Sequence, residues 1–446
     1  MSAMAGGPAG QADALIARFL PLHPRRIDLS LGRIERLLAD LGHPEQRLPP
    51  VIHVAGTNGK GSTVAFMRAV LEAAGRTVHV YTSPHLVRFH ERIRLGYPGG
   101  GRLVDDATLA EAFARCEAVN AGQGISVFEI TTAAALLLFA EHPADVLLLE
   151  VGLGGRHDAT NVVPQPIATV ITPVSMDHPE FLGSTVTAIA GEKAGILKRG
   201  IPAIVADQGE EARAVIEREA RRVGAPVQYG GQDFTTHEER SRLVYQDERG
   251  LMDLPLPRLA GRHQHLNAAT AIATLRTVFP DLPASAYEAG IPRADWPARL
   301  QPLKRGSLPG LLCEGSELWL DGGHNADGGR ILAEALAEME ERHARPLILV
   351  CGMLATKDPT AFLKPFAGLA QELIAVPITG EGAAHDPDVV LRAAESVGLP
   401  AARSPDVASA LRYLAARGWP LPPRVLIAGS LHLAGEVLAL NGTPPD

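Results

Sequence analysis

A lysine set between two glycines, Gly59-Lys60-Gly61, with Ser62 directly after it, stands where an apolar run gives way to a helical pattern. The full segment is Ala55-Gly56-Thr57-Asn58-Gly59-Lys60-Gly61-Ser62. Val51-Ile52-His53-Val54 precede it, and a helical pattern from Ser62 to Ala74 follows. Strand, glycine-rich turn and helix form the context of a phosphate cradle. Glycines let backbone N–H groups turn toward a phosphate, the helix N-terminus adds partial positive charge, and Lys60 adds a full one. The spacing departs from the common G-x-x-x-x-G-K-[ST] loop, because Gly61 separates Lys60 from the hydroxyl. A tight strand-to-helix turn would also need glycines, but a lysine between two of them at a helix start favours the phosphate.

Four further segments carry groups with chemical potential. Asp145 to Glu150 is an apolar strand ending in a carboxylate, followed by the glycine-rich Val151-Gly152-Leu153-Gly154-Gly155-Arg156. Ligands gather at the carboxyl ends of parallel strands, and Mg²⁺ takes oxygen ligands while keeping waters, so Glu150 fits a metal. A simple strand cap is the bland alternative. Ile167 to Thr172 delivers Pro173-Val174-Ser175-Met176-Asp177-His178, where His178 could meet metal or phosphate, although a lone histidine is often just polar. Lys193, in Gly191-Glu192-Lys193-Ala194-Gly195, reads as mid-helix in an apolar stretch, and burial there would lower its pKa. A snorkelling lysine is the alternative. Tyr81-Thr82-Ser83-Pro84-His85-Leu86 puts hydroxyls just past a strand, or is only a turn. No G-x-S-x-G elbow and no Cys–His pair appears, which favours direct phosphoryl transfer over a covalent protein intermediate.

The elements that must hold these groups alternate along the chain. Strands are expected at 51–55, 77–81, 145–150, 167–171 and 202–206, and helices near 30–41, 62–74, 106–120, 127–141, 187–197, 209–223 and 264–278. That alternation predicts an α/β fold with a mostly parallel sheet covered by helices. Short strand-like pieces over about 225–260 suggest a small antiparallel appendage. A Pro- and Ala-rich run before residue 297 reads as a boundary between residues 1–296 and a smaller α/β domain, 297–446. In the second domain strands are expected at 317–321, 346–351, 372–376 and 424–428, with helices at 327–343, 360–368, 387–396 and 406–417. A site in the cleft between two such domains is the expectation.

The 446 residues suffice for two or three domains, and the net charge of −8 argues against a general nucleic-acid binder. Lysine occurs at only six positions, so one inside a motif is less apt to be filler. Cys116, Cys313 and Cys351 show neither metal spacing nor a disulfide framework, which points to a reducing cytoplasm. The first residues lack signal-peptide character, and no apolar run approaches the roughly 20 residues of a membrane span.

The segments HVAGTNGKGS, YTSPHLVRFHERI, LLLEVGLGGRHDATN, VSMDHPEFLGSTVTAIAGEKAGILK, HQHLNAATA, DGGHN and GMLATKD occur in the order seen in folylpolyglutamate synthases and dihydrofolate synthases of the Mur ligase superfamily. The resemblance covers roughly residues 25–440. It implies a three-layer P-loop ATPase domain with a smaller C-terminal glutamate-ligase domain and ATP held between them. It implies a ligase that adds L-glutamate to dihydropteroate, to reduced folates, or to both, through an acyl phosphate, giving ADP and phosphate. A monofunctional folylpolyglutamate synthase or another Mur-type amino-acid ligase is the alternative. Two Mg²⁺ ions, a carbamylated Lys193 and a cytoplasmic monomer acting on small molecules, without nucleic acid or membrane, complete the expectation.

By position, the resemblance makes Gly56, Thr57, Asn58, Gly59, Lys60, Gly61 and Ser62 the phosphate loop, with Asn267, Arg299 and Asp321 as further ATP contacts. Ser83, Glu150 and His178 match metal ligands. Lys60, Lys193, His178 and His324 match catalytic positions. Pterin-side contacts would come from Arg26, Ile27 and Asp28, from Ser126, Phe128 and Glu129, and from His157, Asp158 and Ala159. Three departures stand out. The usual P-G-R reads Pro297-Ala298-Arg299, Gly323 replaces the alanine of D-G-A-H-N, and G-S-L-Y-L reads Gly429-Ser430-Leu431-His432-Leu433.

Overall fold

A computed structural model describes residues 10–22, 30–379 and 383–446. Arg26, Ile27 and Asp28 lie outside the described residues. The chain divides into two compact units. One runs to Arg258 and adds Gln264–Asp295. The other comprises Leu259–His263 and Trp296–Pro445.

The larger unit is built on an eight-stranded sheet. Its strands are β1 (Val51–Ala55), β2 (Val78–Tyr81), β3 (Ile93–Leu95), β4 (Arg102–Leu103), β5 (Val146–Glu150), β6 (Ala168–Ile171), β7 (Ala203–Val205) and β8 (Val227–Tyr229). Their order is β4-β3-β2-β5-β1-β6-β7-β8. All neighbours are parallel except β2–β3 and β3–β4. β1, β2, β5 and β6 are buried at every position, as continuous apolar runs in a helix-covered parallel sheet must be. The helix Lys60–Ala73 carries the chain from β1 to β2 on one side, whereas β5 leads to β6 on the other. The carboxyl end of β1 is therefore a switch point, where ligands enter open α/β sheets.

Helix starts follow their chemistry. Asp105 caps Asp106–Asn120 by accepting Thr108 N, and Ser126 caps Val127–Glu141 in a capping box with Glu129. Beneath them Phe113 meets Phe19 and Phe89 edge to face, at centroid separations of 5.7 and 5.5 Å. A separate antiparallel sheet of β9 (Phe234–Glu239), β10 (Arg242–Asp247) and β11 (Gly250–Pro255) follows β8.

The Pro- and Ala-rich run contains a helix, Ala284–Gly290, that belongs to the larger unit. A Cβ at Gly290 would lie 2.5 Å from Val70 Cα, so the two helix backbones nearly touch there. In the second unit β12 (Gln301–Pro302), β13 (Glu317–Leu320), β14 (Leu347–Cys351), β15 (Glu372–Ala375), β16 (Ala401–Arg403) and β17 (Arg424–Ala428) form one sheet, ordered β12-β13-β17-β14-β15-β16. It is parallel apart from β12. The helix Leu431–Asn441 closes the unit and starts at a Ser430 cap. No helix among the described residues is long and apolar enough to cross a membrane.

Candidate active site

Four adjacent parallel strands, β2, β5, β1 and β6, present their carboxyl ends along one edge. Four of the five candidate segments follow them in turn: Ser83 after β2, Glu150 at the end of β5, the glycine loop after β1, and His178 after β6. Tyr81 pairs with Leu149, so Thr82 and Ser83 run out beside Glu150. Residues distant in sequence thus meet because the sheet's connections bring them to one edge.

The glycine loop is held from both sides. Thr57 N and Asn58 N donate to Pro173 O, and Thr57 Oγ1 and Ser175 bond reciprocally at 3.1 Å. Gly56 has φ +148°, and a Cβ there would fall 1.8 Å from Thr172 Oγ1. Gly59 has φ +88°, and its Cβ would meet Asn267 Oδ1 at 2.4 Å. Both positions demand glycine, by conformation and by space. Asn267 Nδ2 in turn donates to Gln264 Oε1 at 3.0 Å, which fixes the amide against the loop.

Two lysines converge on one carbonyl of this loop. Lys60 Nζ donates to Gly56 O at 3.0 Å and to Thr57 O at 3.4 Å, and it lies 4.0 Å from Glu150 Oε1. Lys193 Nζ donates to the same Gly56 O at 2.8 Å. Lys193 is 5% exposed, and its pKa falls to about 7, chiefly through burial and then through the charge of Lys60. It is the last residue of the helix Val186–Lys193 rather than a mid-helix residue, and a 3-10 turn follows at Ala194–Ile196. Glycines explain how it is pressed into the cradle. A Cβ at Gly155 would sit 2.7 Å from Glu192 O, and one at Gly195 would sit 2.5 Å from Arg156 Cα. The two glycine-bearing segments meet backbone to backbone.

The donor set fits a hard cation. Ser62 Oγ and Ser83 Oγ are buried with no hydrogen-bond partner among the described residues. Buried hydroxyls in that state are costly unless something else meets them. No group of three His, Cys, Asp or Glu side chains poised for a metal occurs among the described residues. Hydroxyls, one carboxylate and phosphate oxygens with retained waters suit Mg²⁺, which rarely uses an all-protein cage. His178, with φ +50°, sits between carboxylates, Nδ1 at 3.5 Å from Glu180 Oε1 and Nε2 at 3.9 Å from Asp177 Oδ2.

Next to Glu150, a Cβ at Gly152 would strike the Phe128 ring at 2.3 Å, so that ring lies on the loop after β5. Glu129 accepts Ser126 N and receives Arg33 Nε at 3.0 Å. His157 Nδ1 is 3.8 Å from Glu192 Oε2. Asp158 and Ala159 are buried. The Asp158 carboxylate accepts Leu153 N, Thr160 N and Thr160 Oγ1, and Thr160 Oγ1 reaches His53 Nε2 at 2.8 Å. Burial raises the Asp158 pKa and lowers that of His53 to about 3, which leaves the imidazole neutral. This network braces the loop after β5. Glu91 acts similarly, and its motif position gave no sign of it. Its carboxylate accepts Leu86 N, Val87 N and Arg88 N at 2.7, 2.9 and 2.7 Å, fixing the loop that carries Ser83.

In the second unit Asp321 directly follows β13. Its carboxylate accepts Leu300 N at 2.7 Å and Gly323 N at 2.6 Å, and burial raises its pKa against the pull of Arg299. His324 Nδ1 lies 2.9 Å from Gly322 O. Arg299 stands between two residues of positive φ, Ala298 at +55° and Leu300 at +41°. Alanine at 298 therefore occupies a left-handed position that glycine would adopt without strain. Gly429 N donates to Gly323 O, tying the loops after β17 and β13 together.

The Mur ligase middle domain model matches residues 54–275. The dihydrofolate synthase/folylpolyglutamate synthase of Bacillus subtilis is 37% identical over 409 residues, covering 82% of this chain and 89% of that protein. The folylpolyglutamate synthase of Lacticaseibacillus casei is 34% identical, covering 91% and 92%. An Escherichia coli relative solved with DHPP and ADP superposes with a TM-score of 0.85 at 31% identity, over 98% of both chains. The Yersinia pestis bifunctional folylpolyglutamate synthase/dihydrofolate synthase solved with AMPPNP and Mn gives 0.84 at 30% identity, over 98% and 99%.

Proposed function

The chain belongs to the dihydrofolate synthase/folylpolyglutamate synthase family of Mur-type ligases, and from that premise we propose how its residues run the reaction. It is an ATP-dependent ligase that joins L-glutamate to dihydropteroate, to reduced folates, or to both. A substrate carboxylate oxygen attacks the γ-phosphorus of ATP, and the bond to the bridging oxygen breaks with ADP leaving. The glutamate amine then attacks the acyl carbon, loses a proton, and phosphate departs. The carboxylate needs this activation because its own oxygen is a poor leaving group.

The observation that carries the residue assignment is the convergence of Lys60 and Lys193 on Gly56 O, with Glu150 at 4.0 Å from Lys60. Lys60 donates to carbonyls of its own loop here, and phosphate oxygens are stronger acceptors for the same ammonium. The loop's N–H groups and Lys60 would hold the β- and γ-phosphates and spread the charge that grows in transfer. Ser62, Ser83, Glu150 and His178 would hold Mg²⁺, two ions in our proposal, which would supply charge neutralisation at the phosphates. Lys193, poised near neutrality, would keep a free amine able to take up CO₂ as a carbamate, exchanging a cation for oxygen donors. Asn267 would contact the adenine side, and Phe128, Glu129, Ser126 and His157 the pterin. Arg299, Asp321 and His324 would serve nucleotide and intermediate. We place the enzyme in the cytoplasm as a monomer. Its buried Cys116 and Cys351 thiols, both raised to about 12 by burial, are inert ones.

Phosphate release from ATP tests the function. It should require L-glutamate together with dihydropteroate or tetrahydrofolate, and the two acceptors assayed side by side separate a bifunctional enzyme from a monofunctional one. No release with either acceptor would sink the proposal.

A further inference from the structure

Arg92 is a partly buried guanidinium of the larger unit, and its surroundings differ from those of two others, Arg276 and Arg33. Arg276 meets Asp247 at 2.7 Å and Arg33 meets Glu129 at 3.0 Å. Arg92 Nε donates instead to a ring nitrogen, His85 Nδ1, at 3.0 Å, and its Cζ lies 4.8 Å over the Phe89 ring. Among the described residues no carboxylate comes within 4.0 Å of it. The adjacent Glu91 cannot serve, because its carboxylate is taken by the N–H groups of Leu86, Val87 and Arg88. Burial draws the Arg92 pKa below the ordinary arginine value even with Tyr81, Glu91 and Glu150 nearby. Arginine stays charged regardless, and a partly desolvated guanidinium is met more strongly by a carboxylate than by a ring nitrogen.

Its place in the sheet indicates what the partner would be. The Arg92 carbonyl accepts Thr82 N at 3.0 Å, one residue before Ser83, on the hairpin of β2 and β3. In the strand order β3-β2-β5-β1, that hairpin lies on the far side of Glu150 from the phosphate loop. On this flank the half-buried Phe128 ring packs against the fully buried Tyr81, at a centroid separation of 6.5 Å. Phosphate is already provided for at β1. The second anion of the reaction must approach from elsewhere, and a planar guanidinium fork matches a carboxylate.

We infer that Arg92 binds the carboxylate of the pterin-side acceptor, the group that becomes phosphorylated. The inference rests on the ligase function proposed above. Two anions must meet for the carboxylate oxygen to attack γ-phosphorus, and Arg92 offsets their repulsion while setting the angle of approach. No proton moves in this step, so Arg92 acts by charge and hydrogen bonding alone.

The test measures dissociation constants of dihydropteroate and of its carboxamide analogue, with ADP present, by fluorescence titration of wild type, Arg92→Gln and Arg92→Lys. Wild type should prefer the acid at least tenfold. Arg92→Gln should lose tenfold or more on the acid, keep the amide, and keep its KM for ATP. Arg92→Lys should fall in between, which keeps the test alive if the glutamine variant does not fold. Wild-type discrimination retained in either folded variant would overturn the assignment. Wild-type protein that binds neither dihydropteroate nor folates would overturn the ligase function itself, a result distinct from equal binding by the variants.

Discussion

Replacing Lys193 by methionine should stabilise the protein at neutral pH while abolishing turnover. Methionine has similar length and no charge to desolvate. Gly56 O keeps a donor in the variant, since Lys60 also reaches it at 3.0 Å. The folded pKa of Lys193 is about 7, against an ordinary 10.5. A lysine lowered in this way carries no penalty above its unfolded pKa. The penalty grows as pH falls from 10.5 and is complete below about 7. At about 1.4 kcal/mol per pH unit, the full penalty is of order 5 kcal/mol. Urea denaturation of both proteins, free of metal and CO₂, at pH 6.5, 7.5 and 8.5 reads it directly. The stability gap should be a few kcal/mol at pH 6.5 and shrink by about 1.4 kcal/mol for each pH unit well above 7. A gap that stays constant across the range would refute the account of a desolvated lysine. The same energy leaves roughly half of the Lys193 side chains as free amine at pH 7, so ¹³C-bicarbonate should give a carbamate resonance that the methionine variant lacks.

Lys60→Ala should reduce turnover by a hundredfold or more, and it should raise the pH at which Lys193 titrates, because the positive charge that depresses that pKa beside burial is gone; steady-state kinetics and the denaturation series check the two effects. Gly59→Ala should weaken ATP binding by at least tenfold, measured by calorimetry, since the added Cβ meets Asn267 at 2.4 Å in a left-handed backbone. Ser83→Ala and Glu150→Gln should each raise the Mg²⁺ concentration needed for half-maximal rate, with the acceptor KM nearly unchanged at saturating Mg²⁺. A wild-type Mg²⁺ profile in both would show that the metal binds elsewhere.

The strand, glycine turn and helix around Gly56 to Ser62 were legible because their determinants are local. Three glycines, a lysine and two hydroxyl residues lie within eight residues, and the flanking strand and helix announce themselves by composition. Glu150 was readable for the same reason, as a carboxylate closing an apolar strand. The placement of Lys193 was harder. Its helix ends at that residue because Gly195 must meet the Arg156 backbone, and such a contact has no signature in either segment alone. The helix Ala284–Gly290 hid in a proline-rich run, since what stabilises it is the close crossing at Val70 and not its own periodicity. Asp158 is expected on the substrate side from its motif, and the bracing by which its carboxylate accepts from Leu153 and Thr160 shows only in the structure. Glu91 and Arg92 share one short motif, yet one clamps a loop while the other has no carboxylate partner among the described residues. Only side-chain geometry separates those roles.

The measurement that bears most directly on the central claim follows oxygen. Dihydropteroate labelled with ¹⁸O in its carboxylate is turned over with ATP and L-glutamate, and the released phosphate is analysed by mass spectrometry or ³¹P NMR. Formation of an acyl phosphate requires one labelled oxygen to leave with phosphate in each turnover. Unlabelled phosphate, with amide product formed at the normal rate, would contradict the mechanism.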